Sequence, residues 1–208
     1  MKLIVEAYEA QHQRWPQTGR VILAQYDDES VVVYQAYRPE IGLFAAKHGY
    51  FGGEFKMSRM TWVKPNFLWM MYRSGWGTKE GQEVTLAVRL RRTAFDDLLA
   101  SAVPSSFDPN TYQSEADWKQ HVATSDVRLQ WDPDRSPTGQ PLERRAIQLG
   151  LRGEAITKYA REWIIEIEDI SEFVAEQHHN LKQSEKSSIF MPREDVYPVT
   201  DPPAALGM

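Results

Sequence analysis

The stretch RVILAQYDDESVVVYQAYRPEIGLFAAKHG, Arg20 to Gly49, sets the character of the chain. Two runs rich in β-branched residues flank the polar turn Asp27-Asp28-Glu29, which is the pattern of a β-hairpin. Pro39 then suits a first helical turn, Ile41, Phe44 and Ala45 supply an apolar face, and Gly49 is placed to end the helix. A hairpin feeding a helix differs from the strand–helix–strand rhythm of a parallel sheet.

The rest of the chain keeps that irregular mixture. QEVTLAVRLRR alternates Val84, Leu86, Val88 and Leu90 with polar or small residues, as a half-buried strand does. Short helices are expected over TAFDDLLASAV, with Thr93 as cap, and over SEADWKQHVA, with Ser114 as cap. DVRLQWD and RRAIQLGL are short strands separated by the turn-rich PDRSPTGQP. GEAITKYAREW and DISEFVAEQHHNLK read as helices with WIIEIE as a strand between them. Strands and helices without regular βαβ alternation predict one α+β domain, a mixed or antiparallel sheet flanked by helices, over residues 1–182. Residues 183–208 turn polar and then Pro-rich and are expected to form a poorly ordered tail.

Composition excludes several function classes. The 208 residues contain no cysteine, so disulfides, thiolate catalysis and Cys-ligated metals are absent. The N-terminal apolar run is short and interrupted by Glu6, unlike a signal peptide. No window approaches the roughly 20 apolar residues of a membrane helix. A soluble cytoplasmic protein without membrane contact is the expectation. No G-x-G-x-x-G follows the early strands, and no Walker A loop occurs.

One segment stands out. FKMSRMTWVKPNFLWMMYRSGWGTK, Phe55 to Lys79, carries five cations and no carboxylate, although the net charge of the chain is −5. The remainder therefore carries −10. That asymmetry points to a local anion site. Pro65 at a first helical position would put Lys64 at or near the N-cap of a helix running through NFLWMMYR to about Gly75. Thr61 is the alternative cap. Cations beside the positive end of a helix repel it unless an anion lies among them, and phosphate is the natural candidate. Phe67, Met70, Met71 and Ser74 fall on a core face, and Trp69, Tyr72, Arg73 and Trp76 on the other. A single-stranded nucleic acid would satisfy both halves of the composition. Its phosphates would meet Lys56, Arg59, Lys64, Arg73 and Lys79, and its bases would stack on exposed members of Trp62, Trp69, Tyr72 and Trp76.

The remaining chemistry is sparser. The five histidines form no metal-binding spacing, so no metal is expected. His48, at the end of the first helix, is a candidate acid or base, although a cation there also suits the helix dipole. Asp132 and Asp134 in QWDPD read as an ordinary turn. Arg144, Arg145 and Arg152 are flanked by Glu143 and Glu154, which suggests solvated pairing.

VVVYQAYRPEIG, RMTWVKPNFLWMMYRSGWGTK, VRLQWDPD and RRAIQLGLRG together resemble the domain-of-unknown-function 4291 family of bacteria and fungi. The matching blocks extend from about Arg20 to Ile170. The resemblance implies a protein without an assigned cofactor and a link to ATP-independent joining of RNA ends. In such a reaction a 5′-hydroxyl attacks a strained 2′,3′-cyclic phosphate, so no nucleotide is consumed. Arg59, Lys64 and Arg73 would supply charge, and His48, Tyr37, Tyr72 or Lys64 would carry protons. The strand-then-helix rhythm at Val31–Phe51 is also similar to ADP-ribosyltransferase-like domains, which act on NAD. Here Gln35 and Tyr37 stand where those families carry His or Arg, and Glu162 or Glu166 would have to serve as the acid. A non-catalytic nucleotide or RNA binding module is the third reading.

Overall fold

A computed structural model describes residues 3–183, 189–200 and 202–208. In chain order the elements are β1 (Val5–Ala7), α1 (Tyr8–His12), β2 (Leu23–Ala24), β3 (Ser30–Tyr37), α2 (Pro39–His48), β4 (Thr61–Val63), α3 (Phe67–Ser74), β5 (Val84–Arg91) and α4 (Arg92–Ser101). They continue with β6 (Val103–Pro104), α5 (Glu115–Thr124), β7 (Val127–Arg135), β8 (Pro141–Leu151), α6 (Gly153–Lys158), β9 (Ile164–Asp169), α7 (Ser171–Lys182), β10 (Phe190–Pro192) and β11 (Asp195–Val196). A π-helical turn, Tyr159–Trp163, carries α6 into β9. The architecture is α+β, as the sequence predicts.

Two sheets form the frame. One is antiparallel with order β3-β5-β9, and the other is mixed with order β4-β8-β7-β6. They meet where Tyr34 of β3 bridges to Lys64, just beyond β4, through paired backbone hydrogen bonds of 2.7 and 3.4 Å. Side chains on strands alternate between faces, so the first sheet presents two apolar rows. Val31, Val33, Leu86, Val88 and Leu90 pack with Phe95 and Leu98 of α4 and with Ile147 and Leu149 of β8. Val32, Tyr34 and Ala87 pack with Phe67, Met70 and Met71 of α3 and with Val174 of α7. Burial on both faces is why β5 is covered along nearly its whole length, where its alternation predicted one wet face.

Helix α2 lies close against β5. A Cβ added at Gly42 would stand 2.6 Å from Val84 Cβ, an atom fixed to the strand backbone. Gly42→Ala is expected to cost about 1–3 kcal/mol by overpacking, read as a lower denaturant midpoint with an unchanged slope.

Three expectations are corrected. The first hairpin is short: Val32 N–H donates to Gln25 O, but β2 pairs with β11 and not with β3. The DPD segment is strand, not turn. Asp132 opposes Ala146 and Pro133 opposes Arg145, and the register shifts between Pro133 and Arg135. A proline that cannot donate to the ladder is tolerated at such an irregularity. The presumed tail is integrated into the fold: β10 pairs with β1, β11 pairs with β2, and Ile189, Met191 and Tyr197 are at most 1% exposed. Its polar, Pro-rich composition conceals single apolar anchors. Residues 184–188 and 201 of that expectation lie outside the described residues.

No described helix is long and apolar enough to cross a membrane.

Candidate anion-binding cleft

The N-terminus of α3 is satisfied from within the chain. Its N-cap is Asn66, whose side chain accepts from Trp69 N–H at 2.7 Å. The Glu194 carboxylate, 0% exposed, accepts from Phe67 N–H at 2.6 Å and from Asn66 Nδ2 at 3.3 Å. This corrects the expectation of an external phosphate at the helix start with Lys64 or Thr61 as cap. The acceptor that the helix start calls for is Glu194, more than a hundred residues away in sequence. Burial drives the Glu194 carboxyl well above the ordinary carboxylate range, opposed chiefly by the Phe67 hydrogen bond.

Lys64 therefore serves something else. Its side chain lines a cavity of about 540 Å³ shared with Arg59, Arg73, Trp62, Tyr37 and four glutamines, Gln35, Gln82, Gln130 and Gln148. An adjoining cavity of about 410 Å³ shares Tyr37, Arg59, Met60 and Thr61 and adds Lys56, Arg38 and Glu54. The two form one cleft. β4 delivers Trp62, the step from β4 to α3 delivers Lys64, and the last turn of α3 delivers Arg73.

Lys64 is only 4% exposed. Among the described residues its ammonium makes no hydrogen bond and no ion pair, and its one aromatic contact places Nζ 5.8 Å from the Trp69 ring centre. Burial, reinforced by the Arg73 charge, pulls the Lys64 ammonium down to about 8, with Asp132 acting in opposition. Arg59 and Arg73, both exposed, also have no ion pair among the described residues. Other buried cations are matched: Arg144, 1% exposed, donates Nε to Asp134 at 2.8 Å and Nη1 to Pro16 O at 2.7 Å. Arg144 is thus no solvated surface residue, and Arg152 caps α5 by donating to Val122 O and Ala123 O.

The walls are polar and internally braced. Gln35 Nε2 donates to Thr61 Oγ1 at 2.8 Å and to Tyr37 Oη at 2.9 Å, and Tyr159 Oη donates to Gln35 Oε1 at 2.5 Å. Burial raises the Tyr37 phenol above its ordinary range, so it stays protonated and cannot act as a base near neutrality. Elsewhere on the lining, Gln130 Nε2 and Gln148 Nε2 donate to the two Asp132 oxygens at 2.8 and 2.7 Å. Trp62 lies flat against β8, because a Cβ on Gly150 would meet its ring at 3.0 Å. Three of these residues escaped sequence reasoning as parts of a site: Gln130, Asp132 and Gln148. The available signal was polar residues at period two in strands otherwise built for a core.

The remaining candidates go elsewhere. Lys79 Nζ donates to Arg73 O at 2.7 Å and to Tyr72 O at 3.3 Å, closing the C-terminus of α3. Trp69 is 7% exposed and offers no open face for stacking. Tyr72 is 41% exposed, packs one side against the Arg135 guanidinium 3.8 Å from its ring centre, and lines neither cavity of the cleft. Trp76 stacks on His178 at 5.6 Å, beside another cavity. His48 stacks on Phe44 at 4.3 Å and does not line the cleft. Glu166 pairs with Arg89 at 3.4 Å, and neither it nor Glu162 lines the cleft. Among the described residues no three His, Asp or Glu side chains gather to hold a metal ion.

A comparison with curated proteins finds no match. The strands and helix that build this cleft, together with the Glu194 segment that secures α3, lie within residues 21–197, which match the family model described as Domain of unknown function (DUF4291). The chain belongs to that family.

Proposed function

We propose that the cleft binds a phosphate group and that the protein is a phosphate-directed enzyme acting on RNA ends, joining a 2′,3′-cyclic phosphate to a 5′-hydroxyl without ATP. The observation that carries this reading is Lys64, a nearly buried cation with no counter-ion among the described residues, on one cavity with Arg59 and Arg73. A buried charge is costly unless it is paired, so Lys64, with the exposed Arg59 and Arg73 beside it on one concavity, calls for an anion. The RNA-end part of the reading rests on the family resemblance.

The reaction balances with what the cleft holds. The 5′-oxygen attacks phosphorus, the P–O2′ bond breaks, the 5′-hydroxyl loses a proton and O2′ gains one. Arg59 and Arg73 would stabilise the charge on the crowded phosphoryl group. Lys64 is the group in the cleft suited to moving a proton near neutral pH, because its pKa lies at about 8. Tyr37 would stay a hydrogen-bond donor. His48 lines neither cavity and is given no role.

The test is an incubation with RNA bearing a 2′,3′-cyclic phosphate and a 5′-hydroxyl, without nucleotide. Circles or longer products are expected, and Arg73→Ala should slow their formation about 10²-fold with little change in melting temperature. Absence of joined products across pH and salt would reject the reaction. Phosphate binding without turnover would leave only a binding module.

A further inference from the structure

The part of the cleft lined by Gln130 and Gln148 carries directional information. A carboxylate is purely an acceptor, so the two glutamine side chains that meet Asp132 must present their N–H₂ groups to it. The contacts are Gln130 Nε2 to Oδ1 at 2.8 Å and Gln148 Nε2 to Oδ2 at 2.7 Å. Their carbonyl oxygens are thereby turned away from Asp132. Both glutamines line the cavity that holds Lys64 and Arg73. Among the described residues neither carbonyl oxygen accepts a hydrogen bond, and neither is fully buried, so each is free to accept from a ligand. An ordinary glutamine accepts or donates by rotating its amide, but Asp132 removes that freedom here. The cleft thus combines three cations with two oriented acceptors.

We propose that Gln130 and Gln148, oriented by Asp132, select ligands with a hydroxyl donor next to the phosphate, so that the cleft prefers ribonucleotide phosphates over their deoxy counterparts. In a ribonucleotide 3′-phosphate the vicinal donor is the 2′-hydroxyl, the group that distinguishes RNA from DNA. Opening a cyclic phosphate at O2′ creates the same group. Gln130 and Gln148 are then specificity residues, and Asp132 is a positioning residue that acts through them. The inference rests on the anion reading of the cleft but not on the joining reaction.

The experiment is equilibrium binding of three probes to the full chain: inorganic phosphate, adenosine 3′-monophosphate and 2′-deoxyadenosine 3′-monophosphate. Wild type should bind all three and prefer the ribonucleotide by about tenfold, the scale of one directed hydrogen bond. Gln148→Met and Gln130→Met should erode that preference and leave the affinity for inorganic phosphate unchanged. Asp132→Asn gives the sharper readout. An asparagine can accept or donate, so the glutamines regain their freedom and the preference should fall although both remain. Circular dichroism melts confirm that each variant is folded. Equal binding of the ribo and deoxy probes by wild type overturns the inference while leaving the anion site standing. So does a preference that survives both glutamine substitutions. Failure of wild type to bind inorganic phosphate overturns the anion reading and this inference with it.

Discussion

Lys64→Met raises the stability of the protein near pH 7 and abolishes its affinity for phosphate. The folded state holds the ammonium at about 8 against an ordinary value of 10.5. Below pH 8 the folded chain must carry a buried charge that the unfolded chain carries in water, at a cost of about 3 kcal/mol. Methionine fills a similar volume without that charge. The gain should appear as a higher denaturant midpoint at pH 7. The sign follows from proton counting: between about pH 8 and pH 10.5 the unfolded chain binds more protons, so wild type gains stability as pH rises through that window. Its deficit against Lys64→Met should close there. Phosphate affinity should show the reverse trend, falling in wild type as Lys64 loses its proton above about pH 8. A variant destabilised at pH 7 would mean that Lys64 is paired in solution.

A chain ending at Gln183 fails to fold. It loses β10 and β11, the sheet partners of β1 and β2. It also loses Ile189, Met191 and Tyr197, all at most 1% exposed. Burying three such side chains is worth about 6 kcal/mol, a large share of a typical domain's stability. Removal of Glu194 leaves Phe67 N–H at the start of α3 without an acceptor. Far-ultraviolet circular dichroism should show no cooperative melt, whereas a truncated chain melting within a few degrees of wild type would refute the packing described for this segment. Glu194 alone can be probed more finely. Glu194→Ala should cost about 2 kcal/mol by orphaning a buried donor. Glu194→Gln keeps an acceptor and removes the titration. Because burial raises the folded-state pKa, Glu194 favours the fold below its unfolded value, and wild type should lose stability relative to Glu194→Gln as pH rises above about 4.5.

What the sequence made legible was local. Gly49 and Gly75 end α2 and α3 in the left-handed conformation, with φ of 74° and 60°. Ser114 caps α5, and the cations of one segment do gather, with Arg59, Lys64 and Arg73 on a common cavity. What stayed hidden was set by distant contacts. Lys64 looked like a cation at a bare helix start because Glu194, which completes that start, enters from the far end of the chain. Asp132-Pro133-Asp134 has turn chemistry, but pairing with β8 holds it extended, and Asp134 is committed to Arg144. The acceptor wall arises from two neighbouring strands, so neither strand reveals it alone. The local charge argument arrived at an anion site for a reason that the fold replaces: the site depends on burial of Lys64 and not on the helix dipole.

The most direct test of that account is an NMR titration of the Lys64 ammonium in the free protein and with inorganic phosphate. A pKa of about 8 in the free protein, moving upward when phosphate is added, is the expected result. A value near 10.5 that phosphate leaves unchanged would contradict the claim that Lys64 is an unpaired buried cation awaiting an anion.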